Sequence, residues 1–480
     1  MAGADSISRR HTLQGISALG TAAMLGAKSD AGDVVETGQG TSTSGRANPA
    51  IAKKVFETPL IDTHEHLIEE KERFAASHPR VQADDWSLLL NHYLNSDLLV
   101  AGMPKAAYDK FFSKETDPAD KWRYIEPYWP AVKNTGYGQA VRIAMRQIYD
   151  VDELSAATVK KVQAAYEQTR RPGFYRRILC ELGKIESCQV NYLSRPFSGS
   201  DMPTLLMQDI SIVGMFAGPD FNGFGKPTGI EVRSLADWHR VIDWWFDKYG
   251  KYAVAVKSQN AYNRDIDYEQ VPAEKVEGIF KKRLANESLT TEERKALEDH
   301  LFWYAVKKAT EHKLPVKLHT GYYAGQNGMP LGRLSHNASS ATDLCRKAPE
   351  TRFVFMHICY PYYEELLAVA KHYTNAYIDM CWSWIMNPVA AKDFLKKFLV
   401  TAPANKILTF GGDYIPVEPV LGHAVVARRG IALALSELVE EGWLSLPDAM
   451  DLIDPIMHNN VRQIFNLAEK TRILENVKWT

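Results

Sequence analysis

The sequence predicts an α/β protein in which parallel strands close into a (β/α)8 barrel of the TIM type, with a helical insertion after strand 1. Short apolar runs alternate with helical patterns through most of the chain, which indicates a parallel sheet. Several of these runs end in His, Lys or Asp, which is typical of a barrel whose site lies at the carboxyl ends of its strands. A barrel alone needs about 250 residues, so a chain of 480 residues has room for an insertion.

Eight β-rich runs are the predicted strands. They are 58–64, 186–193, 204–215, 252–257, 314–319, 352–357, 375–380 and 406–413. Between the first two, residues 84–185 carry helical periodicity and no strand pattern, so they form the predicted insertion that caps the barrel. The longest predicted helical region between later strands is 273–312, where Thr290 and Glu293 fit a capping box. Three further helices are expected at the carboxyl end, at 421–440, 446–456 and 458–467.

The composition is that of an ordinary globular protein without a strongly charged surface. Lys plus Arg number 57 and Asp plus Glu number 58, so the composition gives no indication of a basic face for nucleic acid or membranes. We therefore expect a small-molecule substrate as the partner, and leave a homo-oligomer open. The five cysteines are odd in number and include no CxxC pair. A disulfide framework or a cysteine zinc site is therefore not expected, and each cysteine is interpreted as a small buried hydrophobe.

The amino-terminal segment has the pattern of an export signal. Arg9 and Arg10 precede an apolar run from Gly15 to Ala27 that is too short to span a membrane. This order resembles a bacterial twin-arginine signal, although Thr12 stands where such signals usually carry Phe. Residues 1–31 are the predicted signal, 32–50 a flexible linker and 51–480 the catalytic barrel. A periplasmic location follows, or a cytoplasmic one if the segment is only a tail with a chance arginine pair.

Polar residues at the strand ends form the candidate site. His64 and His66 are two residues apart in the first strand, so their side chains point to the same face. Other predicted strands end in Lys257, His319, His357 and Asp413. The carboxyl ends of all barrel strands meet at one face, so these residues converge there. A single such histidine is usually a hydrogen-bonded core residue, but neutral imidazoles with a carboxylate are the ligand set of a catalytic zinc-type site.

These residues resemble the amidohydrolase superfamily, and within it the amidohydrolase-2 branch of metal-dependent hydrolases. The resemblance rests on the motifs His64-Glu65-His66, Lys257-Ser258, Leu318-His319-Thr320-Gly321, His357 with Tyr360-Pro361-Tyr362, and Phe410-Gly411-Gly412-Asp413. They are similar to the barrel domains related to nodulin and to fungal glutamine-synthetase-like proteins. The insertion and Trp382-Ser383-Trp384 resemble uronate isomerases more distantly.

The resemblance implies a divalent metal, zinc or alternatively manganese, as one or two ions. His64 and His66 would hold it, and His319 would complete or bridge the site. Asp413 would act as ligand and proton acceptor, and His357 as ligand of a second ion or as the group that polarises the substrate carbonyl. Lys257 would bridge two ions if it were carbamylated, or else turn away or bind an anionic substrate. Metals of this kind lower the pKa of bound water from 15.7 to about 7.

Residues in the loops after the strands are the predicted substrate contacts, because barrels build their pockets there. They are Tyr262, Arg264, Tyr322, Tyr360 and Trp382. Each could instead be an ordinary packing or surface residue, and Arg264 is selected because arginine binds carboxylates in bidentate fashion.

Three functions fit these patterns. The main prediction is a metal-dependent hydrolase that cleaves a C–N or C–O bond of a small substrate. The alternative is a single-metal decarboxylase or a uronate-type sugar-acid isomerase that uses the same site. The third is a barrel that has lost catalysis, against which the complete ligand set argues.

Overall fold

The structure is a computed structural model that describes residues 46–75, 83–216 and 221–479. The predicted export signal and most of the predicted linker, at 1–45, lie outside the described residues, so both stay predictions. Within the described ranges, no helix combines the length and the apolar character needed to cross a bilayer.

Short parallel strands form the centre of the described chain. They are β1 Leu60–Glu65, β2 Ile185–Val190, β3 Leu206–Gln208, β4 Ile210–Ser211, β5 Val256–Ser258, β6 Val316–Leu318, β7 Phe353–Met356, β8 Ala376–Asp379 and β9 Ile407–Leu408. They pair in chain order as two parallel sheets, β1 to β3 and β4 to β9. The predicted α/β fold with parallel strands is therefore confirmed.

The two sheets are joined through the predicted strand 204–215, which contains both β3 and β4. β3 and β4 are separated only by Asp209, whose amide donates to the carbonyl of Val190 in β2. The next amide, of Ile210, donates instead to Ala255 beside β5. The chain thus changes partners at Asp209, whose buried carboxylate lies 2.5 Å from Lys317 Nζ.

Hydrogen bonds also return from the segment after β9 to β1. Thr63 donates to Phe410 at 3.0 Å, and Asp413 donates to the carbonyl of His64 at 2.8 Å. This approach requires glycine at 412, because a Cβ there would lie 1.9 Å from Glu65 Oε1. These bonds bring the last strand end against the first, so that eight strand positions form a ring.

The strands are shorter than the sequence predicts. For the predicted runs 252–257 and 406–413, the strands are only Val256–Ser258, which ends one residue beyond its run, and Ile407–Leu408. The neighbouring residues are buried but make single bonds rather than a ladder, as where Val254 donates to Gln208. An apolar, β-rich composition predicts that a segment is buried. A regular strand requires, in addition, a neighbouring strand in register, which the composition does not show.

The predicted insertion is helical, with no strand between β1 and β2 in its described part. Its helices and those beside it are Pro49–Glu57, Glu70–Phe74, Trp86–Leu90, Leu94–Val100, Lys105–Phe112, Pro118–Asp120, Trp122–Ile125, Trp129–Val132, Gly136–Tyr149, Val159–Thr169, Phe174–Arg176 and Arg177–Leu182.

Helices also separate and follow the later strands. They are Val213–Phe216, Phe221–Gly225, Lys226–Thr228, Leu235–Tyr249, Asn260–Tyr262, Ala273–Leu284, Thr291–Glu311, Leu331–His336, Asn337–Lys347, His357–Cys359, Glu364–His372, Ser383–Met386, Pro388–Thr401, Ala404–Lys406, Glu418–Glu440, Leu446–Asp454, Pro455–Asn459, Asn460–Ile464 and Leu467–Leu474. The predicted capping box of Thr290 and Glu293 is present at the start of its helix. The predicted helix 458–467 ends earlier, at Ile464, because Asn466 has a left-handed backbone (φ 51°).

A buried ion pair ties the insertion to the barrel. Arg73, after β1, donates to both carboxylate oxygens of Glu418 at 2.7 and 3.0 Å. Arg73 also donates to the hydroxyl of Tyr166 in the insertion. Helix Gly136–Tyr149 packs closely on helix Glu418–Glu440, since a Cβ at Gly422 would lie 1.9 Å from the carbonyl oxygen of Ala140. The insertion is thereby fixed beside the carboxyl ends of β1 and β9.

Candidate metal centre

Three side chains at the ends of β1 and β9 form the first ligand set. The rings of His64 and His66 lie 4.7 Å apart, which agrees with the alternation predicted for a strand. Their Nε2 atoms lie 3.4 and 3.3 Å from Asp413 Oδ1. One ligand atom from each residue lies within 4.8 Å of the others, a spacing that fits one cation.

The hydrogen bonds of His66 leave one nitrogen able to bind a metal. Its Nδ1 lies 2.9 Å from the carbonyl oxygen of Asn191. A carbonyl only accepts, so Nδ1 carries the proton and Nε2 keeps a lone pair. The side-chain amide of Gln259 lies 3.1 Å from that Nε2 and would give way to a cation. Backbone carbonyls commonly orient metal-binding histidines in this way.

Two further imidazoles carry nitrogens without a partner among the described residues. Neither nitrogen of His64 has one, and neither does Nε2 of His357, although both side chains are fully buried. Burying a polar atom without a hydrogen bond costs about 1–3 kcal/mol. A divalent cation would satisfy the lone pair of each imidazole, so the residues present fit a metal. The same burial lowers the pKa of both imidazoles well below the usual value and keeps them neutral, as ligands must be.

Asp413 is the carboxylate on which the ligand set converges. Burial raises its pKa to about 7, against the opposing effect of the nearby Lys257 ammonium. Its backbone is left-handed (φ 62°), and its carbonyl accepts a 2.6 Å hydrogen bond from the hydroxyl of Tyr93. A carboxylate that titrates near neutrality can accept and return a proton.

Left-handed backbone is concentrated at this site. Non-glycine residues with positive φ include Asp413, Trp382 and three in succession at 357–359. One of these is the β-branched Ile358 (φ 49°), a residue type for which this conformation is a genuine outlier. Each such residue costs on the order of 1–3 kcal/mol and persists only where its surroundings enforce it. The strain is typical of a functional site.

A pair of buried carboxyl groups lies under the ligands. Burial raises the pKa of Asp62 to about 6, and burial with the neighbouring Asp62 charge raises the pKa of Glu65 well above its usual range. Asp62 accepts bonds from the amides of His64 and Gly412, and Glu65 accepts one from Tyr414. Glu65 therefore serves to join β1 to the end of the last strand, while the flanking histidines face the site.

Lys257, at the end of β5, lies within this cluster. Its Nζ is fully buried and lies 2.7 Å from the sulfur of Met356. Burial lowers its pKa to about 8, with Asp413 opposing the shift. A lysine with this pKa is partly neutral at physiological pH. The alternatives left open by the sequence, a carbamylated bridge and an unmodified lysine, both stay predictions.

His319 lies beside the ligand set rather than in it. Its Nε2 donates to the carbonyl of Tyr322 at 2.9 Å, so any lone pair for a metal is on Nδ1. Its ring lies 4.4 Å from that of His357 and 4.6 Å from that of Tyr262. Its predicted role as a ligand stays a prediction.

Most of the predicted substrate contacts lie around these imidazoles. The buried ring of Trp382 lies 5.4 Å from that of His357, and Tyr322 lies 6.0 Å from Trp382. The hydroxyl of Tyr262 accepts a bond from Ala324, and that of Tyr360 accepts one from Asn387.

Arg264 is held differently. Its guanidinium pairs with Asp299 at 2.5 Å and Glu298 at 3.3 Å. These two carboxylates belong to helix Thr291–Glu311, so the charge is balanced within the chain. The loop position alone could not reveal these partners, and a substrate contact by Arg264 stays a prediction.

The structure adds residues that the sequence patterns missed. Tyr93 and Tyr137 from the insertion stack with Trp382 above the site, with Tyr93 centred 4.8 Å from Trp382 and 5.2 Å from Tyr137. Cys381 forms a second possible ligand set with His357 and Asp413. Sequence patterns did not identify these residues, because the insertion residues do not lie at strand ends and a single cysteine belongs to no ligand motif.

Comparisons with known proteins show which proteins this chain is similar to. Residues 287–466 match the family model described as amidohydrolase. The chain is 25% identical over 229 residues to Protein fluG of Emericella nidulans, covering 45% of this chain and 26% of that protein. The chain thus spans about a quarter of the length of that relative. It is 22% identical over 462 residues to the uronate isomerase of Phenylobacterium zucineum, covering 88% of this chain and 95% of that one.

A solved structure extends the likeness to the fold. The glucuronate isomerase from Caulobacter crescentus superposes with a TM-score of 0.71 at 18% identity, covering 88% of this chain and 95% of the other. The predicted resemblance to the amidohydrolase-2 branch, to the fungal protein and to uronate isomerases is confirmed. Residues 287–466 thus resemble an amidohydrolase, and the chain as a whole shares the fold of the glucuronate isomerase.

Proposed function

We propose that this protein is a metal-dependent isomerase that interconverts the aldose and ketose forms of a sugar acid of the hexuronate type. The alternative predicted from the sequence thus has more support than hydrolysis. Similarity to a uronate isomerase extends over nearly the whole chain and includes the helical insertion.

The observation that carries the proposal is a set of unused donors around the ligands. Trp382 Nε1 and the hydroxyl of Tyr414 are buried without a hydrogen-bond partner in the described part of the chain. Both rings contact Tyr93, at 4.8 and 5.3 Å. Buried donors are almost always satisfied, so these suit the hydroxyl groups of a polyol.

Arg333 supplies a cation suited to the carboxylate of such a substrate. Its guanidinium lies 5.5 Å from the ring centre of Tyr323, whose ring stacks on His319 at 6.2 Å. It donates to the carbonyls of Ala261 and Tyr262, and no described carboxylate forms a salt bridge with it. Its Nε also donates to the hydroxyl of Tyr323 at 3.4 Å. A partly buried arginine held by neutral oxygens keeps its charge available for an anion.

The site residues can perform the required proton transfers. Isomerisation moves one proton from carbon 2 to carbon 1 and another from the carbon 2 hydroxyl to the carbonyl oxygen. Asp413, the carboxylate on which the imidazoles converge, would take the carbon proton and return it to the neighbouring carbon. His357 keeps a lone pair on Nε2, because its Nδ1 donates to the carbonyl of Cys381 at 3.0 Å, and would move the hydroxyl proton.

His64, His66 and Asp413 would hold the metal, which as a Lewis acid would polarise the substrate oxygens. Hydrolysis of a C–N or C–O bond is the second candidate. The family description of residues 287–466 favours it, and a carboxylate beside a metal also serves that reaction.

The test is an assay of the metal-loaded protein on aldohexuronates in deuterated water. We expect ketose formation, with deuterium incorporated at the carbon that receives the proton to the extent that the proton held by Asp413 exchanges with the solvent. Asp413→Asn and treatment with a chelator should each abolish both signals. Activity on amide, ester or lactone panels, or release of carbon dioxide, without any interconversion of hexuronates would overturn the proposal.

A further inference from the structure

A second group of metal-ligating side chains adjoins the first at Asp413. It consists of His357, Cys381 and Asp413, whose ligand atoms lie within 4.8 Å of one another. We propose that these residues form a second cation subsite that selects thiophilic divalent metals such as zinc or cadmium. The isomerase proposed above uses the ion at His64 and His66 and the lone pair of His357 Nε2, so this subsite is an additional one, and a cation bound there would block proton transfer by His357.

The two oxygens of Asp413 face different imidazoles. Oδ1 lies 3.4 and 3.3 Å from the Nε2 atoms of His64 and His66, whereas Oδ2 lies 4.0 Å from Nε2 of His357. A carboxylate with this arrangement can bridge two cations. Paired metal sites in enzymes hold their ions about 3.5–4 Å apart, a separation that a bridging carboxylate allows.

His357 is a second, independent indication of a ligand next to Oδ2 of Asp413. Its side chain is fully buried, and its Nε2 has no hydrogen-bond partner in the described ranges. The carbonyl of Cys381 fixes the ring by accepting from Nδ1 at 3.0 Å. The residue that offers the thiol therefore also orients the imidazole.

The backbone holds Cys381 firmly in this position. Its amide donates to Asp379 Oδ1 at 2.9 Å. The neighbouring strand end leaves no space, because a Cβ at Gly411 would lie 2.7 Å from the Cβ of Cys381. Cys381 forms no disulfide and is fully buried, so its sulfur is shielded from exchange with external thiols.

The ligand types determine which metals this subsite would take. Thiolate sulfur favours zinc and cadmium, whereas manganese and magnesium prefer oxygen. Lys257 lies close enough to interact electrostatically with both Cys381 and Asp413. A thiolate formed on metal binding would balance that positive charge, which neutral ligands could not do.

Direct titration of the metal-free full-length protein with cadmium tests the subsite. We expect two cadmium ions per chain, with thiolate-to-cadmium charge-transfer absorption accompanying one of them. Manganese should bind as one ion without such a band. Because the assay requires no substrate, a failure of the proposed isomerase activity would leave its result unaffected.

Two variants make the assignment specific. Cys381→Ser should remove the absorption band and one equivalent of cadmium, and His357→Asn should lower the affinity of the same equivalent at least tenfold. Cys345→Ser, at a buried cysteine near Asn375, is the matched control and should change neither. A single cadmium ion per wild-type chain would overturn the subsite. A charge-transfer band that persists in Cys381→Ser would also overturn it. If Cys381→Ser fails to fold, unchanged cadmium binding in His357→Asn would overturn it instead.

Discussion

The hydroxyl of Tyr93 donates a 2.6 Å hydrogen bond to the backbone carbonyl of Asp413. This bond joins the helical insertion to the left-handed residue that carries the shared carboxylate. Tyr93 itself packs against the rings of Tyr137 and Trp382. The insertion thus takes part in orienting the ligand set, in addition to covering it.

Replacing Tyr93 by Phe should weaken metal binding while the fold is preserved. The ring stack would stay, but the carbonyl of Asp413 would lose its donor. Loss of a residue that orients a ligand typically costs 10- to 100-fold in metal affinity or activity. Competition with a chromophoric chelator would measure the affinity.

Tyr137→Phe is the matched control, because it removes a hydroxyl from the same stack and no described hydrogen bond joins that hydroxyl to Asp413. Its metal affinity should stay near that of the wild type. Equal losses in both variants would show that the stack, rather than the hydrogen bond, positions Asp413.

The parts of the site that the sequence predicts are those that follow from regular structure. Alternation along a strand places His64 and His66 on one face, and parallel strands bring His357 and Asp413 to the same rim. These relations depend on periodicity and topology, which can be inferred from a single sequence.

The missed residues depend on contacts that no local pattern encodes. Tyr93 reaches a carbonyl 320 positions away in the chain. Cys381 gains its neighbours from the turn after β8, and an odd cysteine count argued against any such role. Arg264 lies in a loop after a strand, as predicted, but the loop position cannot show that Asp299 binds its guanidinium.

Lys257→Met should leave the metal site intact. The lysine Nζ packs against the sulfur of Met356 in a fully buried position, and Met has a similar length without the charge. We expect one manganese ion per chain in both proteins, as counted by elemental analysis. Native mass spectrometry of the wild type should show no increment of one carbon dioxide. A carbamate bridge would reveal itself by that increment and by loss of metal in Lys257→Met.

Arg333→Met should raise KM for hexuronates more than it lowers kcat. A hydrogen bond to a charged group contributes about 1.5–3 kcal/mol, so we expect an increase in KM of about 10- to 100-fold. Steady-state kinetics on the acid and on the matching uncharged aldose would isolate the carboxylate contribution. Arg346→Met, at an exposed arginine paired with Asp343, is the control. The assignment is wrong if the acid and the aldose are affected alike.

Arg73→Met should destabilise the whole fold. It would leave the Glu418 carboxylate, whose side chain is fully buried, without its bidentate partner. Breaking a buried pair on one side costs about 3–5 kcal/mol, whereas replacing both members by apolar residues is often neutral. Urea unfolding should therefore show a large loss in Arg73→Met and recovery in Arg73→Met with Glu418→Leu. A double variant as unstable as the single one would indicate that packing, rather than charge, accounts for the loss.

Stability should fall as the pH drops below neutrality, in part because of His423. This imidazole is fully buried and donates from Nδ1 to the carbonyl of Gly412 at 3.2 Å. Burial lowers its pKa from 6.5 to about 3 in the folded protein. The unfolded chain therefore binds more protons between these values. The stabilisation is present above pH 6.5 and is lost as the pH falls towards 3.

At 1.36 kcal/mol per pH unit, the loss from this group is about 2 kcal/mol between pH 7 and pH 5. Urea unfolding of the wild type and of His423→Gln at both pH values would measure it. The variant should be less stable than the wild type at pH 7, and the difference should shrink by about this amount at pH 5. A difference that is the same at both pH values would assign the pH dependence to other groups. His423 would then contribute only through packing against Phe410 and Tyr414, whose rings lie 5.1 and 6.2 Å from it.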